Sequence, residues 1–182
     1  MGENSLIEDA KSGNKEALER LIEKYAPLAF NLSLKLMRNY DDASDAAQEA
    51  LIKVYSSIKK FKGKSLFSTW VYRITYNTCI DLQRKRKNNI IYEPDETIKD
   101  PKPLPYDEAL SNEKKENIKK AINALPDKYR AAVVLRDIMG SSYDEVAEIL
   151  RCPVGTVKSR ISRGRDMLKE MLSEYMEQIT PN

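Results

Sequence analysis

Between Val154 and Arg165 the chain reads VGTVKSRISRGR, with four cations, Lys158, Arg160, Arg163 and Arg165, and no acid before Asp166. Such cations neutralise phosphates, and a guanidinium can fork onto the edge of a guanine. On a helical wheel Val154, Val157, Ile161, Leu168, Met171 and Leu172 form one apolar stripe, with Gly164 on the same side. Thr156, Ser159, Ser162 and Arg163 face away from it, and Lys158 and Arg160 sit on the shoulders. A merely solvated helix face mixes signs, usually as Glu–Lys pairs four apart. The run of cations with small Thr and Ser between them instead fits a surface that lies against nucleic acid.

Two other surfaces carry chemistry. The loop Phe61, Lys62, Gly63, Lys64, Ser65 precedes a helical pattern with Phe67 and Trp70 on its core side. Tyr72, Arg73, Tyr76 and Asn77 fall on the other side, and the pattern ends in Arg84, Lys85, Arg86 and Lys87. Aromatic and basic groups interleaved in this way suit single-stranded DNA, because bases stack and phosphates are neutralised. A cation at a helix C-terminus is ordinary, but four in succession exceed that need. The second surface presents Asp45, Gln48, Glu49 and Ile52 away from the core, with Asp41 and Asp42 at its start. Acids there favour the helix dipole; an apolar Ile52 beside them fits a face that docks another protein.

Enzyme chemistry finds little support. The chain has no histidine, which removes the commonest general base and any Ser-His or Cys-His pair. Its two cysteines, Cys79 and Cys152, are far apart in sequence and cannot make a zinc cluster. Neither GxGxxG nor a Walker-type loop occurs. No catalytic residue, metal or cofactor is expected. With no apolar signal core at the N-terminus and no membrane-length apolar run, the expected location is the cytoplasm, without membrane insertion.

These surfaces need helices to position them. Apolar spacing of three and four recurs almost throughout, predicting an all-α fold. Leu18, Leu21, Ile22 and Tyr25 make one stripe, continued by Leu28, Leu32 and Leu36 beyond Pro27, where a kink or break is predicted. A helix follows over 42–58, and another begins at Phe67. Four prolines between Pro94 and Pro105, with acids among them, predict an extended linker. Residues 1–92 hold 16 basic and 11 acidic residues, residues 93–110 hold 2 and 6, and residues 111–182 hold 13 and 11, so two mildly basic blocks flank an acidic connector. The expectation is two small helical domains, 1–92 and 111–182, that fold separately on either side of the linker 93–110. In the second block Ser142 and Glu145 form a capping box before YDEVAEIL. "RCP" breaks that short helix ahead of the basic one. This is the helix-turn-helix layout, whose second helix enters the major groove by its N-terminal half.

Four stretches, DDASDAAQEALIKVY, FKGKSLFSTWVYRITYNTCIDLQRK, ALPDKYRAAVVLRDIMGSSYDEVAEIL and CPVGTVKSRISRGRDML, resemble in order and spacing the extracytoplasmic-function (ECF) sigma factors of the sigma-70 family. The resemblance implies region 2 over 1–92 and region 4 over 111–182. It implies docking of Asp41, Asp42, Asp45, Gln48, Glu49 and Ile52 on the β′ clamp helices of core RNA polymerase, and a further contact with its β flap. Phe61 to Ser65, Phe67, Trp70, Tyr72, Arg73, Tyr76 and Asn77 then match the part that captures unpaired bases of the −10 element, and Arg84 to Lys87 match the part meeting DNA just upstream. Thr156, Lys158, Ser159, Arg160, Ser162, Arg163 and Arg165 match the −35 reader, with Arg136 as a backbone contact. Promoter DNA, duplex and single-stranded, and an anti-sigma factor are the implied partners. Ser162 departs from the pattern, standing where the family often has an aromatic residue or histidine. The rival readings are a free-standing helix-turn-helix regulator, which would bind duplex DNA without residues 1–92, and an RNA-binding or antitermination protein.

Overall fold

The structure, a computed structural model, describes residues 2–89 and 106–179, with α helices and no strand among them. Helix α1 (Glu3–Lys11) leads into α2 (Lys15–Met37), which starts where Asn14 Oδ1 accepts the Ala17 amide at 3.1 Å. Pro27, where a kink or break is predicted, lies inside α2, which continues through it to Met37. The carbonyl that loses its partner belongs to Glu23, four residues back on an exposed turn, while Leu21, Tyr25, Ala29 and Leu32 keep a continuous buried stripe. Packing of that stripe outweighs the cost of the proline. Arg38, at φ 67° in the left-handed region, ends α2, and Asn39 caps the next helix by accepting the Asp42 amide at 2.8 Å.

Helix α3 (Tyr40–Ser57) closes with a 3₁₀ turn over Ile58–Lys60 and a loop, and α4 (Phe67–Asn89) returns across α2 and α3. Gly63, at φ 67°, gives the loop a left-handed turn that suits glycine. Ala43, Ala46, Ala47 and Ala50 are buried on α3, and side chains this small let the helices approach closely. One core cluster fills the end of this bundle with Ile7, Leu21, Tyr25, Val54, Ile58, Phe61, Phe67, Trp70 and Val71. Its aromatic rings meet edge-on or tilted, with centroids 5.0–5.3 Å apart for Tyr25–Phe67, Phe61–Phe67 and Phe61–Trp70.

In the second block α5 (Tyr106–Ala124) begins inside the stretch expected to be linker; residues 93–105 lie outside the described residues. Helix α6 (Asp127–Val133) passes into a π-helical segment, Val134–Ile138, where the Met139 amide reaches the Val134 carbonyl at 2.9 Å. Ile138, at the end of this wider turn, is 41% exposed. Helix α7 (Tyr143–Leu150) and α8 (Val154–Ile179) follow. An added Cβ at Gly164 would come 2.6 Å from Val133 Cγ2, so glycine is what lets α6 and α8 pack this closely.

The blocks do not stand apart. A second core cluster joins Leu32, Leu36, Ala43, Ala46 and Cys79 of the first block to Leu135, Val146, Ile149, Val157 and Ile161 of the second. The two helical domains, expected to stand on either side of a linker, thus meet in a shared apolar cluster. The physical reason is that each block is too small to bury its apolar faces alone. Arg130, 1% exposed, seals this seam. Its Nη2 donates to the Leu36 carbonyl at 3.1 Å and to Asp127 at 2.7 Å, and Nη1 donates to the Asn123 carbonyl at 3.3 Å. Gln83 Nε2 also donates to the Leu36 carbonyl, at 2.8 Å, so the end of α2 is capped by both blocks.

Candidate nucleic-acid interface

Helix α7 is fixed by the capping box that its sequence predicts: Ser142 Oγ accepts the Glu145 amide at 3.2 Å and Glu145 accepts the Ser142 amide at 2.7 Å. It ends at Arg151, left-handed at φ 50°, and the turn delivers the chain into α8. Val157, Ile161 and Gly164 are buried, whereas Lys158, Ser159, Ser162 and Arg163 are exposed and Thr156 and Arg160 half-buried. Val146 and Ile149 anchor α7; Ala147 and Leu150 are only partly buried.

The cations expected at this surface have internal partners of different kinds. Arg165 forks onto Asp137 at 2.5 and 3.0 Å, which holds its guanidinium firmly protonated. Arg136 donates to the Ser141 carbonyl at 2.9 Å and lies 4.7 Å over the Tyr143 ring, and Arg160 donates to Cys152 Sγ at 3.8 Å. Arg163, with Lys128, instead stabilises the Tyr129 phenolate and draws that phenol below its ordinary value.

On α3, Asp41, Asp45, Gln48 and Ile52 are exposed, and Ile52 is 60% so. Glu49 is half-exposed and bridges to Lys53 at 2.7 Å; that hydrogen bond holds its carboxyl below the usual range. Asp42 does not share the face. It is buried, hydrogen-bonds to Asn39 Nδ2 at 2.6 Å and pairs with Arg86 of α4. Its position in the first turn of α3 puts it against α4 rather than outward, and the pair also commits one of the four cations at the end of α4.

The surface around α4 divides. Lys62, Gly63 and Lys64 are exposed, whereas Phe61, Phe67 and Trp70 are core: the chain turns Phe61 inward onto Phe67 and Trp70. Beside the loop a cleft of about 530 Å³ is lined by Gly63, Lys64, Ser65 and Leu66 on one side and Glu3, Asn4 and Tyr25 on the other. Tyr72, Arg73 and Tyr76 are not outward either; they lie half-buried beneath α7, while Asn77 is half-buried and Arg84 and Lys85 are exposed. The Lys87 side chain lies outside the described residues. Of the partners that cover α4, Glu145 is singled out by motif only as a capping residue, and Glu148 and the seam residue Arg130 are not singled out by motif or charge. Arg130 does leave one trace, since it precedes Val134 by one helical turn on the buried stripe.

Cys79 is buried with its thiol pushed up to about 11 by that burial, and both cysteines are free. No helix among the described residues is long and apolar enough to cross a membrane.

An all-helical chain with a capped helix-turn-helix and a second basic, aromatic helix is a two-region nucleic-acid-binding protein in its architecture. Comparison makes this specific. The Sigma-70 region 2 family matches residues 21–89 and the Sigma-70 region 4 family matches residues 115–168. The ECF RNA polymerase sigma factor SigW of Bacillus subtilis is 36% identical over 92% of this chain and 95% of its own. The ECF RNA polymerase sigma-E factor of Haemophilus influenzae is 37% identical over 96% and 97%. Among solved structures, the sigma factor RpoE of Bartonella quintana, in complex with the anti-sigma factor NepR, aligns with TM-score 0.70 at 27% identity over 85% of this chain and 96% of that one. The fold of CnrH, solved with the cytosolic domain of CnrY, aligns with the same TM-score, 0.70, at 22% identity. The chain belongs to the ECF sigma factors of the sigma-70 family.

Proposed function

We propose that the chain directs core RNA polymerase to specific promoters and helps open them, with no bond-making chemistry of its own. The observation that carries this is α8: Lys158, Ser159, Ser162 and Arg163 are exposed on a helix whose opposite face, Val157, Ile161 and Gly164, is locked into the core behind a capped α7. That is the presentation a major groove requires for the −35 element. The exposed Lys62–Lys64 loop with its adjoining cleft, together with Asn77, supports a role in holding a flipped base of the −10 strand. Flipping costs a few kcal/mol, so a cleft that fits one base better than another reads sequence.

The acidic face Asp41, Asp45, Gln48, Glu49 with exposed Ile52 is the docking surface for polymerase; Asp42 supports that face by pairing with Arg86. Docking supplies through tethering the affinity that two small DNA contacts lack. Its place of work is then the cytoplasm. The RpoE structure was solved with the anti-sigma factor NepR bound, which supports an anti-sigma factor as a partner here.

Run-off transcription with core polymerase across a promoter library tests the assignment. Transcripts should appear at a defined set of starts only when the chain is added, and Gln48→Ala with Glu49→Lys should abolish both core binding and those transcripts. Equal start-site usage with and without the chain would refute it.

A further inference from the structure

Residues assigned to the −10 strand, together with their neighbour Thr69, touch residues of the helix-turn-helix. Thr69 and Arg73 are one turn apart on α4, and Glu145 and Glu148 are one turn apart on α7. Thr69 Oγ1 donates to Glu145 Oε1 at 2.9 Å and Arg73 Nη1 donates to Glu148 Oε1 at 3.0 Å. Between these polar contacts Tyr72 and Tyr76 pack, partly buried, on the cluster that also holds Tyr143, Ala147 and Leu150. A single DNA strand would offer α4 anionic oxygens for Arg73 and flat faces for the tyrosines. Helix α7 offers carboxylates and apolar side chains to the same groups.

We propose that α7 is an internal stand-in for part of the −10 strand, so that the chain by itself is closed: the Tyr72, Arg73 and Tyr76 part of its single-strand face is masked, while the Lys62–Lys64 loop and the duplex-reading face of α8 stay open. This rests on the −10 assignment above. The asymmetry is in the exposure. Lys158, Ser159, Ser162 and Arg163 remain exposed in the same arrangement that covers Tyr72 and Tyr76. The two ends of the seam also differ. Arg130 at one end is buried, but the Arg73–Glu148 pair at the other has side chains 29% and 35% exposed, so it is the end at which charge reversal opens the seam. Opening then accompanies engagement of the strand, because Arg73 cannot serve Glu148 and a phosphate at once.

Glu145→Gln with Glu148→Arg tests this in the full chain. Gln keeps the capping box, and Arg opposes Arg73. Solution scattering of the unaltered chain should give a radius of gyration near the ~16 Å that scaling gives a compact chain of this length. The variant should be larger by several ångströms, and adding Arg73→Glu should return it towards the starting value. Binding of a fluorescent degenerate 12-nucleotide single strand should tighten at least fivefold more in E145Q/E148R than in Glu19→Arg with Glu23→Gln, which adds the same charge on the exposed side of α2. Circular dichroism checks that the helices persist.

An unaltered chain that is already expanded, a variant that scatters like the unaltered chain, or a strand-binding gain matched by the α2 control would each overturn the proposal. Chain-dependent run-off transcription would survive all three outcomes. Loss of the sigma assignment would show there instead, so the two failures are separable.

Discussion

The two DNA-facing helices are built on opposite plans. Helix α8 turns a bland inward stripe to the core and leaves Lys158, Ser159, Ser162 and Arg163 uncovered. Helix α4 uses aromatic and basic side chains on several sides, and its Tyr72, Arg73 and Tyr76 are occupied by α7. The difference teaches that a basic residue in a nucleic-acid motif is available only if the fold has given it no carboxylate. Arg163 and Arg165 stand two residues apart on one helix, yet only Arg165 is forked onto an aspartate.

The sharpest way to break the comparison is to remove the seam. If the two regions share one core, unfolding in urea is a single transition. Arg130→Ala removes a buried guanidinium that donates to Leu36, Asn123 and Asp127, and it leaves a cavity between the blocks. Loss of charge-assisted hydrogen bonds at a buried site predicts destabilisation of about 2–3 kcal/mol. The transition should also split in two, measured by following Trp70 fluorescence, which reports the first block, against far-ultraviolet circular dichroism, which reports both. A single unchanged transition would mean that the seam contributes nothing to cooperativity.

A smaller effect sharpens the contrast within α8. Arg163→Ala should lower the salt dependence of binding to a random-sequence duplex by about 0.9 in log–log slope, the value for one lost phosphate contact. Arg165→Ala should leave that slope unchanged and instead cost ~0.2–1 kcal/mol of stability, because its partner is Asp137 and the pair is largely solvent-exposed. Fluorescence anisotropy over a salt series and thermal melts separate the two.

This pattern explains what could be read in advance. The helices, the capping box, the turn at Arg151 and the exposed face of α8 follow from local rules: apolar period, cap chemistry and charge sign. The family and the two regions follow from motif order. The closed seam does not, because Glu145 reads only as a capping residue, Glu148 as an ordinary surface acid on an eight-residue helix, and Thr69 as an ordinary helix threonine. Their meaning lies in a partner 75 or 76 residues away in sequence. Asp42 misled for a related reason: its position at a helix start is what a dipole-favouring acid or a docking acid would share, and only the approach of Arg86 decides between them. At Pro27 a local rule was overruled by a long buried stripe.

The smallest effect concerns Glu145, which serves both the cap and the seam. Hydrogen bonds from the Ser142 amide, the Ser142 hydroxyl and Thr69 hold its carboxyl below the ordinary value of 4.5. A depressed folded value means that the stabilisation is complete above the unfolded carboxylate range and is lost as pH falls through the folded value. Acid should therefore weaken the cap and the Thr69 contact together as pH falls through the depressed folded value. Glu145→Gln cannot titrate, so its stability should be flatter through that acid limb, by a few tenths of a kcal/mol at such a solvent-accessible site. The reading is the difference between the two acid unfolding curves. Glu49, whose carboxyl is lowered chiefly by Lys53 on its own helix, gives the contrast: Glu49→Gln should alter the acid limb of stability without changing the radius of gyration. If both substitutions shifted the scattering alike, the carboxylates would be acting through net charge alone, and the distinction between a masked helix and an open one would lose its electrostatic basis.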